Sequence, residues 1–103
     1  MKRIIVVGAL AILPIAGFAQ SPDANLARNL AATCTSCHGT DGRSAGGIVS
    51  LAGTPKEQIV ERMKEFKDGK RNATIMHQIA KGYSDSQVDM IAGYFAAQKK
   101  ETP

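Results

Sequence analysis

Cys34-Thr35-Ser36-Cys37-His38 constrains this chain more than any other stretch, because two thiols followed at once by an imidazole form the attachment sequence for a c-type haem. On a helical turn, residues three and four apart share a face, so Cys34 meets Cys37 across the turn with His38 beneath. Each thiol can add across a vinyl group to make a thioether, and the histidine is then held under the iron as proximal ligand. A chain of 103 residues with two Tyr, three Phe and no Trp has little bulk for a core of its own. Small domains of this kind need a staple, and the haem supplies one.

Other uses of the same residues fit less well. A structural zinc site takes four ligands in paired, closely spaced sets, whereas the chain offers two Cys and two His in all, with His77 isolated. A thioredoxin-like dithiol requires a βαβ pattern around the Cys-x-x-Cys, and the flanks read helical on one side and glycine-rich on the other. A disulfide gives no reason for His38.

The chain opens with Met1-Lys2-Arg3 and an apolar run from Ile4 to Ala19. This reads as a secretory signal peptide over residues 1–19, with Gly17-Phe18-Ala19 placing a cut before Gln20. The run is shorter than the ~20 apolar residues a membrane span needs and contains Pro14, so no span is expected after cleavage. Residues 20–103 then form one mono-haem domain. Without Lys2 and Arg3 its net charge falls from +4 to +2, which gives no argument for nucleic acid.

Periodicity predicts helices and no strands, hence an all-α fold of three to four helices around one haem. A first helix runs from about Asp23 to Cys37 with Leu26, Leu30, Thr33, Cys34 and Cys37 on one stripe. Gly39 to Gly53 reads as a loop whose glycines let backbone approach a large flat ligand. Thr54-Pro55-Lys56-Glu57 has the form of a capping box with Pro at the first helical position, and Gly69 offers the stop. Between them Ile59, Val60, Met63 and Phe66 make the apolar stripe. Ser84-Asp85-Ser86-Gln87 is a second capping box, opening a helix to about Lys99 with Val88, Ile91, Ala92 and Phe95 inward. That helix is expected to cross the first, with Ala92 and Gly93 permitting close approach.

The second axial ligand separates electron transfer from ligand chemistry. Met63 lies on a core stripe and Met90 within the last helix, whereas Met76 follows the break at Gly69-Lys70-Arg71-Asn72, far enough along for the chain to pass around the haem edge. Met76 is therefore the expected partner of His38, with His77 as the rival. A thioether favours Fe(II) relative to imidazole and raises the potential. An open axial site would instead make the protein a haem sensor or small-ligand enzyme. With both positions filled, the chain has no catalytic site of its own.

These residues also carry a resemblance. Ala-Ala-Thr-Cys-Thr-Ser-Cys-His-Gly-Thr-Asp-Gly from Ala31 is similar to class I cytochromes c of the short bacterial kind. Thr74-Ile75-Met76-His77-Gln78-Ile79-Ala80-Lys81-Gly82-Tyr83-Ser84-Asp85, with Ala92-Gly93-Tyr94-Phe95 after it, resembles more particularly the haem subunit of flavocytochrome c sulfide dehydrogenase. The resemblance implies a cytochrome c fold, haem c on Cys34 and Cys37, His38 and Met76 as axial ligands, and a periplasmic location. It also implies a flavoprotein (FAD) partner that oxidises sulfide and passes electrons on through the haem. A free soluble cytochrome, shuttling between respiratory or sulfur-oxidising complexes, is the alternative. Related chains usually carry a proline in the loop after the histidine, where a carbonyl accepts the imidazole proton; Ala45-Gly46-Gly47-Ile48-Val49 has none. Lys64, Lys67, Lys70, Arg71 and Lys81 form a candidate docking rim, set against Glu61, Glu65 and Asp68 on an ordinary solvated face.

Overall fold

The computed structural model describes residues 2–13 and 22–100. The expected cut before Gln20 lies outside the described residues, and residues 2–13 are exposed without regular secondary structure. Among the described residues there are four α-helices and no strand, and no helix is long and apolar enough to cross a membrane. The all-α expectation holds.

The first helix, α1, spans Pro22–His38, beginning with Pro, whose fixed φ suits a first helical position. Among its described residues Ala31 is the buried apolar one, whereas Leu26 is 43% exposed, so the core stripe begins a turn later than the sequence suggested. A 3-10 turn at Thr40–Gly42 follows. The second helix, α2, covers Lys56–Lys67. The capping box expected at Thr54 does not form: Pro55 itself is the N-cap with no side-chain bond, while the Thr54 N–H donates to the Leu51 carbonyl at 3.1 Å in a preceding turn. At the other end Gly69, at φ +73, makes the stop as expected. Its N–H bonds to Phe66 O and that of Lys70 to Glu65 O, the paired closure of a left-handed glycine terminus.

A six-residue helix, α3, Met76–Lys81, adds a fourth to the three helices whose bounds the sequence suggested, within the three to four expected. The last helix, α4, spans Asp85–Ala96, three residues shorter than expected. Here the capping box is complete: Ser84 Oγ accepts from Gln87 N–H at 3.2 Å, and Gln87 Oε1 accepts from Ser84 N–H at 2.9 Å.

Helix α1 packs on α4, and α2 packs on both α3 and α4. The core is Ala31, Ile59, Met63, Ala80, Val88, Ile91, Ala92 and Phe95. Ala92 is fully buried, so close approach along α4 occurs as expected, but Gly93 is no part of it: a Cβ there would meet nothing within 4 Å. Close approach is made instead by Gly42, at φ +82, where a Cβ would fall 2.7 Å from Phe95 Cδ1 and 2.9 Å from Ala52 N. The 3-10 turn is thus pressed directly on α4. Tyr94 completes this seam by donating its hydroxyl to Asp41 Oδ1 at 2.6 Å, and Arg43 donates to the Lys99 carbonyl at 2.9 Å. Gly42 and Gly53 abut the chain itself, and Gly46 and Gly47 abut nothing.

Candidate functional site

Helix α1 ends on the attachment sequence, so Cys34 is half-buried and Cys37 exposed one turn apart, and His38 is only 8% exposed. Burial pushes the Cys34 thiol up from its ordinary range, against the lowering effect of hydrogen bonds from Thr33 and its own backbone. The two sulfurs are free of each other.

The His38 ring is oriented by one contact. Its Nδ1 lies 2.7 Å from the Val49 carbonyl oxygen. A carbonyl can only accept, so Nδ1 carries the proton and Nε2 keeps its lone pair for a metal. This identifies the acceptor that the absence of a proline had left open, and it is backbone rather than side chain. Such a hydrogen bond fixes the tautomer and the orientation of the ring.

Cys34, Cys37, His38 and Met76 all line one cavity of about 810 Å³. Its walls are mostly apolar, including Ile48, Val49, Leu51, Ile59, Ile79 and Ile91, as expected of a site that encloses a large ligand. Met76 reaches it from the first position of α3. Met63 lines it too, but is 7% exposed and belongs to the core cluster. His77 does not line it. The ring instead borders a neighbouring groove with Lys67, Arg71 and Lys81, where its buried Nδ1 has no hydrogen-bond partner among the described residues.

The charged residues lining the cavity are Arg62 and Arg71, with Asn72 beside Arg71 in sequence and no carboxylate. Arg71 is held by Glu65 at 2.7 Å and lies over the Phe66 ring at 5.9 Å. Two guanidiniums in an apolar chamber suit a flat, largely apolar molecule bearing carboxylates, which is the chemistry of a haem. Arg62 was legible as a cation lying three residues after Ile59 and four before Phe66, on their own face of α2. Tyr83 and Thr33, whose hydroxyls are 2.7 Å apart, close another part of the wall. Of the candidate docking rim, Lys67 pairs with Asp85 at 3.7 Å and Arg71 with Glu65, so part of that charge is locally neutralised.

Comparison with known proteins agrees with this geometry. A family model described as cytochrome c matches residues 25–99. The cytochrome subunit of sulfide dehydrogenase from Chlorobaculum tepidum is 40% identical over 72 residues, 70% of this chain and 66% of that protein. Cytochrome c4 of Pseudomonas aeruginosa is 37% identical over 97 residues, 92% of this chain and 48% of that one. The solved cytochrome c4 of Acidithiobacillus ferrooxidans superposes with a TM-score of 0.63 at 31% identity, covering 70% of this chain and 49% of its own. The chain thus spans about half to two thirds of the length of these relatives.

Proposed function

This chain belongs to the cytochrome c family, and on that premise we propose that it is the haem subunit through which a flavin-bearing sulfide dehydrogenase passes its electrons. At the level of the family it is an electron-transfer protein with one covalently bound haem c, for which Cys34 and Cys37 stand in the attachment positions. Bound there, the haem supplies an iron that gains or loses one electron. The observation that carries the reading is the convergence of two thiols, one imidazole of fixed tautomer and one thioether on a single apolar cavity.

In this reading Cys34 and Cys37 would tether the haem, and His38 and Met76 would hold its iron. Two protein ligands would leave no place on the iron for a substrate, so sulfide chemistry would belong to the partner. Apolar walls exclude water and keep the ligand set the same in both oxidation states, which suits rapid electron transfer. Similarity to the Chlorobaculum tepidum cytochrome subunit supports a place in a sulfide dehydrogenase. Similarity to a cytochrome c4, whose name carries no dehydrogenase, leaves room for the second reading, a free carrier. Residues 1–19 are an export leader, and the mature domain begins at Gln20 in the periplasm.

Purification of the untagged protein from its native periplasm tests the choice. A flavin-bearing polypeptide is expected to co-elute, with sulfide reducing the haem in that complex. Elution alone, at the mass of one mono-haem chain, would favour the free carrier. The ligand set is tested separately: Met76→Ala is expected to abolish the weak red sulfur-to-iron charge-transfer band, and Met63→Leu to keep it. Amino-terminal sequencing of the same preparation checks for Gln20.

A further inference from the structure

We propose that the Ser50 hydroxyl is the positioning group for the His38 ring, because it locks the loop whose Val49 carbonyl receives the His38 Nδ1 proton. The proposal rests on reading His38 as an iron ligand. Residues 43–50 form one excursion that leaves Gly42 and returns to it, since the Leu51 and Ala52 N–H groups both donate to the Gly42 carbonyl, at 2.7 and 3.1 Å. Within that excursion the Ser44 N–H donates to Ser50 Oγ at 2.9 Å, drawing the two ends of the loop together.

The placement of this clasp matters. The Val49 carbonyl and the Ser50 nitrogen share one rigid peptide plane, so whatever fixes Ser50 fixes the direction in which that carbonyl points. On the N-terminal side the other restraint is local and stops three residues short of Val49: Ser44 Oγ accepts from the Gly46 N–H and donates to the Gly46 carbonyl, both at 3.3 Å. Residues 45–49 are exposed, a Cβ on Gly46 or Gly47 would touch nothing, and the Val49 N–H has no partner among the described residues. A proline in this stretch would remove backbone freedom by its ring. The segment from Ala45 to Val49 has none, and the Ser44–Ser50 hydrogen bond supplies the restraint in its place. A well-aimed acceptor lends electron density to the imidazole and stabilises the ferric state. A misaligned one lends less.

The test compares wild-type, Ser50→Ala and Ser50→Thr holoproteins. Ser50→Ala is expected to raise the reduction potential and to speed solvent exchange of the His38 Nδ1–H in the reduced, ¹⁵N-labelled protein by roughly fivefold, the factor carried by one hydrogen bond of ordinary strength. Ser50→Thr keeps the acceptor oxygen and is expected to restore both. Ser50 is exposed, so the melting temperature of Ser50→Ala should fall by at most a few degrees, and a surface variant with an equal fall should leave the potential unchanged, which separates positioning from general destabilisation. An unchanged potential and exchange rate in Ser50→Ala, against a wild type with the spectrum of a six-coordinate low-spin haem, overturns the clasp alone. So does a Ser50→Thr protein that behaves like Ser50→Ala. A wild-type spectrum lacking an axial histidine overturns the ligand reading and the clasp with it.

Discussion

The seam between the Thr40–Gly42 turn and α4 is filled by the protein's own atoms, whereas the loops at 44–50 and 72–75 border a cavity of about 810 Å³. At the seam Phe95 is fully buried, Gly42 lies against its ring and Asp41 holds Tyr94. At the cavity mouth Ile48, Val49 and Ile75 are 47, 58 and 55% exposed in the chain by itself. One side of the molecule is finished by packing, and the other requires a ligand to finish it. The lesson is that stability and redox function are divided between two sides that meet at Phe95, which borders both, and at His38, whose helix the seam supports and whose ring the loop aims.

The largest effect should come from removing the tether. Replacing Cys34 and Cys37 together with Ala leaves the seam intact but the cavity unsealed, and the expected result is a near-complete loss of pigmented holoprotein, read by absorbance per mole of purified chain. Folded, haem-free double mutant in normal yield would break the comparison. Next comes the seam itself: Phe95→Ala should cost about 3–5 kcal/mol in denaturant unfolding, as a buried aromatic deletion does.

A sharper contrast uses one substitution in both regions. Gly42→Ala places a Cβ 2.7 Å from Phe95 in a left-handed backbone conformation, and should cost about 2–4 kcal/mol from strain and overpacking together. Gly46→Ala meets no neighbour and should stay within about 0.5 kcal/mol of wild type. Equal losses would show that the loop is packed as tightly as the seam.

The smallest expected effect is that of Tyr94→Phe, about 1 kcal/mol near neutral pH for a partly exposed hydrogen bond to a carboxylate. The Asp41 hydrogen bond, burial and the Asp41 charge together raise the tyrosine above its ordinary value of 10.0. A raised folded-state pKa means the folded protein holds the proton more tightly. Its contribution is therefore complete below pH 10.0 and is lost as pH climbs through the raised value. Tyr94→Phe should lack that component of alkaline destabilisation, as measured by urea midpoints on both sides of the transition.

Much of this division was legible in the sequence, for reasons of range. The attachment sequence and the Ser84–Gln87 box act over three or four residues, so their residue types alone predict their geometry. Thr54-Pro55-Lys56-Glu57 has the same outward form, but the helix starts one residue later than that pattern implies and the box falls out of register. Helix α3 is a single short element, too brief for periodicity to reveal. The Tyr94–Asp41 bond joins residues 53 apart, so each motif was visible and their meeting was not. The Val49 acceptor left no trace in side-chain identity, since every residue owns a carbonyl. Gly93 was read as a contact because small residues permit one, yet permission is not placement, and the tight contact belongs to Gly42.

The pairing of α1 with α4 sets an order of events during biosynthesis. Val88, Ile91 and Phe95 lie roughly 50 to 60 residues beyond Cys34 in the chain, and closing so wide a loop must await nearly the whole polypeptide. Until then the two sulfurs ride on an undocked helix, uncovered and within reach of whatever machinery joins them to their porphyrin.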